Sequence, residues 1–319
     1  MQIDIERYLY RTFGPRGSER SAGGRFARPA QQRRRKCRRT GPLLALLALT
    51  GACKPNSTDT LPAESHPNVS YGTNAAQVMD ISLPAGRDGA TAVVIFIHGG
   101  GWSGGDKSIF LATDLARVNA AGYATVNINY RLASTTPAVH DPMLSDDVTA
   151  AMDYIAAHAS EYQISGSKFG MVGHSAGAHL ALLEAYKYNA TGRIKAVASL
   201  SGPTDFTDSA FLAIPGDRTL VEVYLGVTQA AAPARWTAVN PVSVVTATSP
   251  PTIIMQGAVD VIVPRSQGDR LHARLQSLGV LDEYHVYPTY DHDLGYAAAG
   301  HFPDDVLTPV LAWLAKYLK

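Results

Sequence analysis

Gly173-His174-Ser175-Ala176-Gly177 places a serine between two glycines, after an apolar β-type run and before a helical one. A turn that tight leaves no room for a side chain at either glycine. It holds the serine in a strained backbone conformation with its hydroxyl exposed. The helix that starts there offers free N–H groups and a dipole that favour negative charge. A serine so placed suits nucleophilic attack on an acyl carbonyl; a plain helix N-cap is the alternative. His98-Gly99-Gly100-Gly101-Trp102 supplies the complement. Three successive glycines serve neither strand nor helix well, but they let backbone N–H groups turn inward. Gly100 and Gly101, with Ala176, are the expected donors of an oxyanion hole, and a flexible turn is the alternative. Each such donor is worth roughly 2.7–4 kcal/mol in the transition state. His98 reads as a brace of this loop through a hydrogen bond rather than as a base. Trp102 either lines the pocket as a substrate-binding residue or packs the loop.

These residues need a frame that brings them to one edge. Residues 92–98 form a continuous apolar run, as in a strand buried on both faces, and 124–130, 169–173, 196–201, 252–256 and 283–287 read as further strands. Helical spacing covers 108–121, 147–157, 178–188, 266–278 and 303–318. Strands that alternate with helices predict an α/β fold, a mostly parallel central sheet with helices on both faces. Residues 203–250 exceed what one crossover helix needs. Extra helices there could cover the site as a partial lid or form a surface excursion.

The glycine turn with Gly104-Gly105-Asp106-Lys107-Ser108 after it, followed by the Ser175 motif, resembles the carboxylesterase branch of the α/β-hydrolases. That branch includes hormone-sensitive-lipase-like and feruloyl-esterase-like (BD-FAE-like) proteins. Tyr71-Gly72, residues 79–84 and Ser201-Gly202-Pro203 look like landmarks of the same family, and the match covers 69–319. The resemblance implies the α/β-hydrolase fold and a Ser, Asp, His chain order. Asp260, in the loop after the strand ending near Gln256, is similar to the family's acid, with a cap on the following helix as the alternative. His292 sits where the family places its base, with His301 as the rival. His285 reads as a packing residue within a strand. Asp291 and Asp293 flank His292. Asp147 reads as a cap or loop brace, Asp106 and Lys107 as caps, and Asp205 resembles a family position near the site without a catalytic role.

The chain has 319 residues, 46% apolar and 17% charged, an ordinary globular balance. Residues 1–41 hold twelve Lys/Arg against three Asp/Glu, and the remainder sixteen against twenty-four. The body is therefore acidic, which argues against a nucleic-acid groove. Both cysteines, Cys37 and Cys53, precede the body, so it is expected to hold no disulfide and no thiolate metal site. The basic block 33–39, the apolar run 43–49 and Thr50-Gly51-Ala52-Cys53 make a secretory signal. The run is shorter than the roughly 20 residues that span a bilayer. Its end resembles the lipobox of bacterial lipoproteins, with Thr50 where an aliphatic residue is usual. That resemblance implies lipidation at Cys53 and a membrane tether; periplasmic release and an ordinary apolar helix are the alternatives. The expected organisation is a targeting segment 1–53, a flexible linker 54–68 and a catalytic domain 69–319.

The expected activity is serine hydrolysis of carboxylic esters, of short acyl chains or of acyl groups on polysaccharides, with no cofactor or metal. An imidazole base implies loss of activity on acidification. An amide or formamide hydrolase of the same fold is the alternative, and a surface binding module without catalysis is a third reading.

Overall fold

The computed structural model describes residues 60–318. Cys37, Cys53 and the targeting segment lie outside the described residues. Among the described residues there are ten strands: β1 (Glu64–Ser70), β2 (Val78–Leu83), β3 (Val93–Ile97), β4 (Ala124–Ile128), β5 (Ser134–Thr135), β6 (Ala138–Val139), β7 (Phe169–His174), β8 (Ile194–Leu200), β9 (Thr252–Gly257) and β10 (Asp282–Tyr287). Eight of them form one sheet in the order β1-β2-β4-β3-β7-β8-β9-β10, while β5 and β6 form a small hairpin. Pairing is parallel from β4 to β10, and β1 and β2 are antiparallel additions at one edge. The chain leaves β3 toward β4 and returns on the other side at β7. That reversal opens a crevice at the carboxyl ends of the strands, where α/β sheets bind ligands.

Apolar alternation builds two cores. Val93, Ile95 and Ile97 face α2 (Met143–Ala157), α4 (Ala176–Leu183) and α9 (Ser266–Leu278). Val94 and Phe96 face the layer of α1 (Ala112–Ala120) and α11 (Asp304–Tyr317). A strand covered on both sides has no polar face, which is why β3 reads as an unbroken apolar run. The remaining helices are α3 (Ala159–Tyr162), α5 (Ser209–Leu212), α6 (Asp217–Leu225), α7 (Pro233–Thr237), α8 (Pro241–Val244) and α10 (Tyr296–Ala299).

The linker expected over 54–68 is corrected at its end, because residues 64–68 belong to β1. This strand lies at the sheet edge, exposed at most positions, and its pairing shifts between His66 and Val69, around Pro67. An edge strand with a proline at an irregularity carries no core residues, so its composition looks like a tether.

The helix expected over 178–188 starts as α4 and widens into a π turn at Glu184–Tyr188. Glu184 is fully buried there. Its Oε1 accepts from Thr149 Oγ1 at 2.8 Å, and Oε2 has no partner. Burial raises its carboxyl to about 7, against a smaller lowering by Thr149 and Arg193 and small raising by Asp153 and Asp146. A carboxyl raised in the folded state contributes stability that is present below its unfolded value and lost as pH rises through about 7. Glu184→Gln is therefore expected to match the parent at pH 5 and to exceed it at pH 8.5. The gain is at most about 3 kcal/mol. Urea midpoints at the two pH values read the difference, and a gain of equal size at both would exclude ionisation as its cause.

Candidate active site

Ser175 stands between β7 and α4 with φ 54° and ψ −123°. A Cβ at Gly173 would fall 2.3 Å from the carbonyl oxygen of Gly177, and one at Gly177 would fall 2.0 Å from that of Ile97. Both glycines are therefore obligatory for the close approach of α4 to β3 and β7. The serine amide donates to the Leu200 carbonyl at 2.8 Å, which fixes the turn onto β8. The side chain is retained in a shallow exposure of 7%.

Two distant loops complete the arrangement. The Ser175 hydroxyl and His292 Nε2 are 2.8 Å apart, and His292 Nδ1 lies 2.9 Å from Asp260 Oδ2. A carboxylate can only accept, so Nδ1–H donates to Asp260 and Nε2 is left to accept from the serine. Asp260 Oδ1 accepts the N–H groups of Ile262 and Val263, each at 2.9 Å. The expected acid, base and serine are thus brought together. His301 instead engages the Phe302 carbonyl. Asp291 and Asp293 serve the local turn: Asp293 accepts the N–H groups of Gly295 and Ala297, around the start of α10. Burial and neighbouring Asp291 hold the Asp293 carboxyl above the usual range.

Two contributors escaped sequence reasoning. Gln256, fully buried in β9, donates to Asp260 Oδ2 at 3.2 Å and to the Val263 carbonyl at 2.9 Å. His174 Nε2 donates to the His292 carbonyl at 3.0 Å, so the residue before the serine holds the main chain of the distant imidazole. Burial, with His292 nearby, pushes His174 down to about 4, which keeps it neutral at ordinary pH. A glutamine among apolar residues in a buried strand was the available signal, since a buried amide must find partners.

The glycine turn lies beside the serine. A Cβ at Gly99 would come within 3.0 Å of Ser175 Cβ. Gly100 and Gly101 follow with φ of 117° and 57°, and Gly104 N–H closes the turn on the Gly100 carbonyl at 2.9 Å. Ala176 is the first residue of α4, where N–H groups have no helical acceptor. His98 braces the turn as expected. Its ring stacks on Tyr130 at 4.3 Å, its Nδ1 bonds the Gly99 carbonyl at 2.7 Å, and the Tyr130 hydroxyl donates to the His98 carbonyl. Burial pushes its imidazole down to about 4, so it stays neutral. Asp106 caps the turn Lys107–Ile109, and Lys107 pairs with Asp80 at 2.7 Å. Asp147 is a brace: buried, it receives Gln77 and the Arg131 guanidinium and amide.

Trp102 as a substrate-binding residue is corrected. It is 3% exposed, stacked on Tyr224 at 5.0 Å and set edge-on to Phe206 and His179. Its indole N–H donates to His179 Nδ1 at 3.2 Å. The positive φ of 60° at Trp102 swings the ring away from the turn and into the aromatic core, which anchors the strained loop. Residues 203–250 are partly cover and partly core. Leu220 of α6 would meet a Cβ at Gly101 at 3.1 Å, whereas Trp236 of α7 is fully buried. Asp205 ties this excursion down, accepting from Thr207, Asn240 and Arg270.

A hydroxyl–imidazole–carboxylate chain at the crest of a parallel sheet, beside a glycine turn, is the constellation of a serine hydrolase. The family model BD-FAE matches residues 79–275, more than half of the chain. The chain belongs to the BD-FAE family. The matched stretch contains the glycine turn, Ser175 and Asp260, and His292 lies beyond it. Esterase LipC of Mycobacterium tuberculosis is 26% identical over 226 residues, 66% of this chain and 55% of LipC. This BD-FAE chain spans about half the length of the curated esterases it matches. A kynurenine formamidase of Meyerozyma guilliermondii is 38% identical over 89 residues, 28% of this chain and 31% of that protein. A truncated carbohydrate esterase from gut microbiota superposes with a TM-score of 0.70 at 24% identity, covering 82% of this chain and 98% of its own. That likeness is one of fold, the α/β-hydrolase fold.

Proposed function

We propose that this protein hydrolyses carboxylic esters through an acyl-enzyme on Ser175. The observation that carries the reading is the unbroken hydrogen-bond chain from Ser175 through His292 to Asp260. In the first half-reaction Ser175 Oγ attacks the carbonyl carbon and its proton passes to His292 Nε2. Asp260 stabilises the imidazolium, and the N–H groups of Gly100, Gly101 and Ala176 receive the oxyanion. The ester C–O bond breaks, and the alcohol leaves with the proton from Nε2. Water then gives its proton to His292 and attacks the acyl-enzyme, which releases the acid and restores the serine.

The names of LipC, an esterase, and of the carbohydrate esterase support an ester substrate that is carried on a carbohydrate, and an acetyl esterase of Salmonella, 31% identical over 94 residues, supports a short acyl group. The formamidase relative supports a second reading, hydrolysis of a formamide at the same serine. Purified protein assayed on p-nitrophenyl acetate, butyrate and octanoate, methyl ferulate and an N-formyl arylamine separates them. Acetate or ferulate is expected to give the highest kcat/KM, and a formamide turned over faster than every ester would overturn the ester reading. A tether at Cys53 belongs to the same proposal and rests on the sequence of residues 33–53. The mass of the mature N-terminal peptide tests it, a diacylglyceryl adduct being the expected result and an unmodified cysteine the opposing one.

A further inference from the structure

His179 lies on α4, one turn after Ser175, and its amide donates to the Ser175 carbonyl at 3.1 Å. Ala176, one of the proposed oxyanion donors, stands three residues earlier and therefore on the same face. The imidazole is fully buried, and both of its nitrogens are bonded. The Val239 carbonyl, 2.9 Å from Nε2, can only accept, so Nε2 carries the proton. Nδ1 is then an acceptor, and the Trp102 indole, 3.2 Å away, can only donate. Burial, with a smaller raising by the Val239 carbonyl and a lowering by Lys187, pushes His179 down to about 3, which keeps the ring neutral at ordinary pH. Trp102 follows Gly101, another proposed oxyanion donor. Its φ of 60° is one that a bulky residue keeps only where its surroundings hold it. Stacking on Tyr224 and edge contact with Phe206 confine the ring, and the bond to His179 gives that hold a direction. Val239 stands between α7 and α8, so one imidazole joins the glycine turn, the nucleophile helix and the 203–250 excursion.

We propose that His179 is a positioning residue that sets the spacing between the two halves of the oxyanion hole, the glycine turn and the start of α4. The inference rests on the serine-hydrolase reading above and deepens it. Donors stabilise an oxyanion well only where they are fixed before the charge develops. Gly100 and Gly101 come from one loop and Ala176 from a helix, so their relative placement depends on contacts between the two. The approach of Gly99 to Ser175 holds one end of the turn, and the Trp102–His179 bond holds the other. The main chain at Trp102 is tied separately, its carbonyl accepting the Ala133 amide at 2.8 Å. Loss of the indole bond therefore leaves the loop attached but free to shift. A misplacement of roughly 1 Å can cost about a hundredfold in rate. Because both of its nitrogens are engaged, His179 acts through Trp102 and not on the substrate.

The test compares the parent with Trp102→Phe, His179→Gln, His179→Asn and the double variant of the first two on p-nitrophenyl acetate, with active sites counted by fluorophosphonate labelling. Trp102→Phe removes the indole N–H and keeps an aromatic ring. His179→Gln places an amide near Nε2 for Val239 and nothing at Nδ1, whereas His179→Asn places an amide oxygen near Nδ1 for Trp102. In Trp102→Phe and His179→Gln, kcat per labelled site is expected to fall by about 10- to 100-fold. KM should change little, because the donors meet full charge only in the transition state. The double variant should be no slower than the slower single, and His179→Asn should recover most of the rate. A trifluoromethyl ketone bonds its carbonyl carbon to Ser175 Oγ, sends the serine proton to His292 and leaves an oxyanion at the same donors. Its Ki should rise in each variant by the factor by which kcat/KM falls, which lost stability alone does not produce. Parent-level kcat per site in both singles, losses that multiply in the double variant, or a His179→Asn protein as slow as His179→Gln would overturn the proposal. Trp102→Phe with the ketone series decides the matter if a His179 variant does not fold. A parent that neither labels nor turns over esters would instead refute the serine-hydrolase reading.

Discussion

Ser175→Ala is expected to lower kcat on p-nitrophenyl acetate by on the order of 10⁴–10⁶ while the protein stays folded. Only one oxygen is lost, and it is the attacking atom of the proposed mechanism. The imidazole keeps its orientation, because His292 remains bonded to Asp260 at 2.9 Å and its carbonyl to His174 at 3.0 Å. The glycine turn also remains, so residual turnover above the uncatalysed rate is expected from oxyanion binding alone. Adding His292→Ala to Ser175→Ala should cost almost nothing further, since groups that act as one unit are strongly non-additive. Steady-state kinetics on the two single variants and the double variant read this directly. A double variant as slow as the product of the two single losses would mean that the two residues act separately. Alanine at φ 54° keeps the backbone strain, whereas Ser175→Gly relieves it and should raise the urea-derived stability by about 1 kcal/mol.

Gly177→Ala is expected to abolish folding rather than to impair chemistry. The new methyl would stand 2.0 Å from the Ile97 carbonyl oxygen and 2.4 Å from that of His98. Both are main-chain atoms at the end of a central strand, so no side chain can rotate away. Relief requires α4 to lift off β3, which undoes burial of Leu180 and Leu183 against the sheet. The expected loss exceeds about 4 kcal/mol, within reach of a whole domain's net stability of about 5–15 kcal/mol. Gly89→Ala is the internal comparison, for nothing lies within 4 Å of its added methyl. That change should stay within about 0.5 kcal/mol. Soluble yield and urea midpoints distinguish the two, and a Gly177→Ala protein with an unchanged midpoint would mean that the approach of helix to strand is looser than described.

Much of the frame was legible because its signals are local. The helix over 266–278 and the apolar strand around 93–97 follow from periodicities that any segment carries within itself. Ser175 was legible for the same reason, since strand, glycine, serine, glycine and helix are consecutive. Asp260 and His292 were reached through the chain order that the resemblance implies. What failed was the environment of single side chains. Trp102 follows a glycine loop, and its neighbours along the chain say nothing of Tyr224, Phe206 and His179, which enclose it. The strand β1 was read as linker because an exposed edge strand lacks the buried face that marks strands.

The amino-acid sequence by itself determined the alternation of strands and helices, the tight turn at Ser175 and the glycine run that lies beside it. These depend on backbone sterics and on apolar spacing within a few residues. The tertiary structure alone decided that His292 reaches a serine 117 positions away, that Gln256 and His174 hold the acid and the base, and that Glu184 carries a buried oxygen with no partner. Hydrogen bonding and desolvation depend on which atoms surround a group in space, and for these residues the surrounding atoms come from remote parts of the chain.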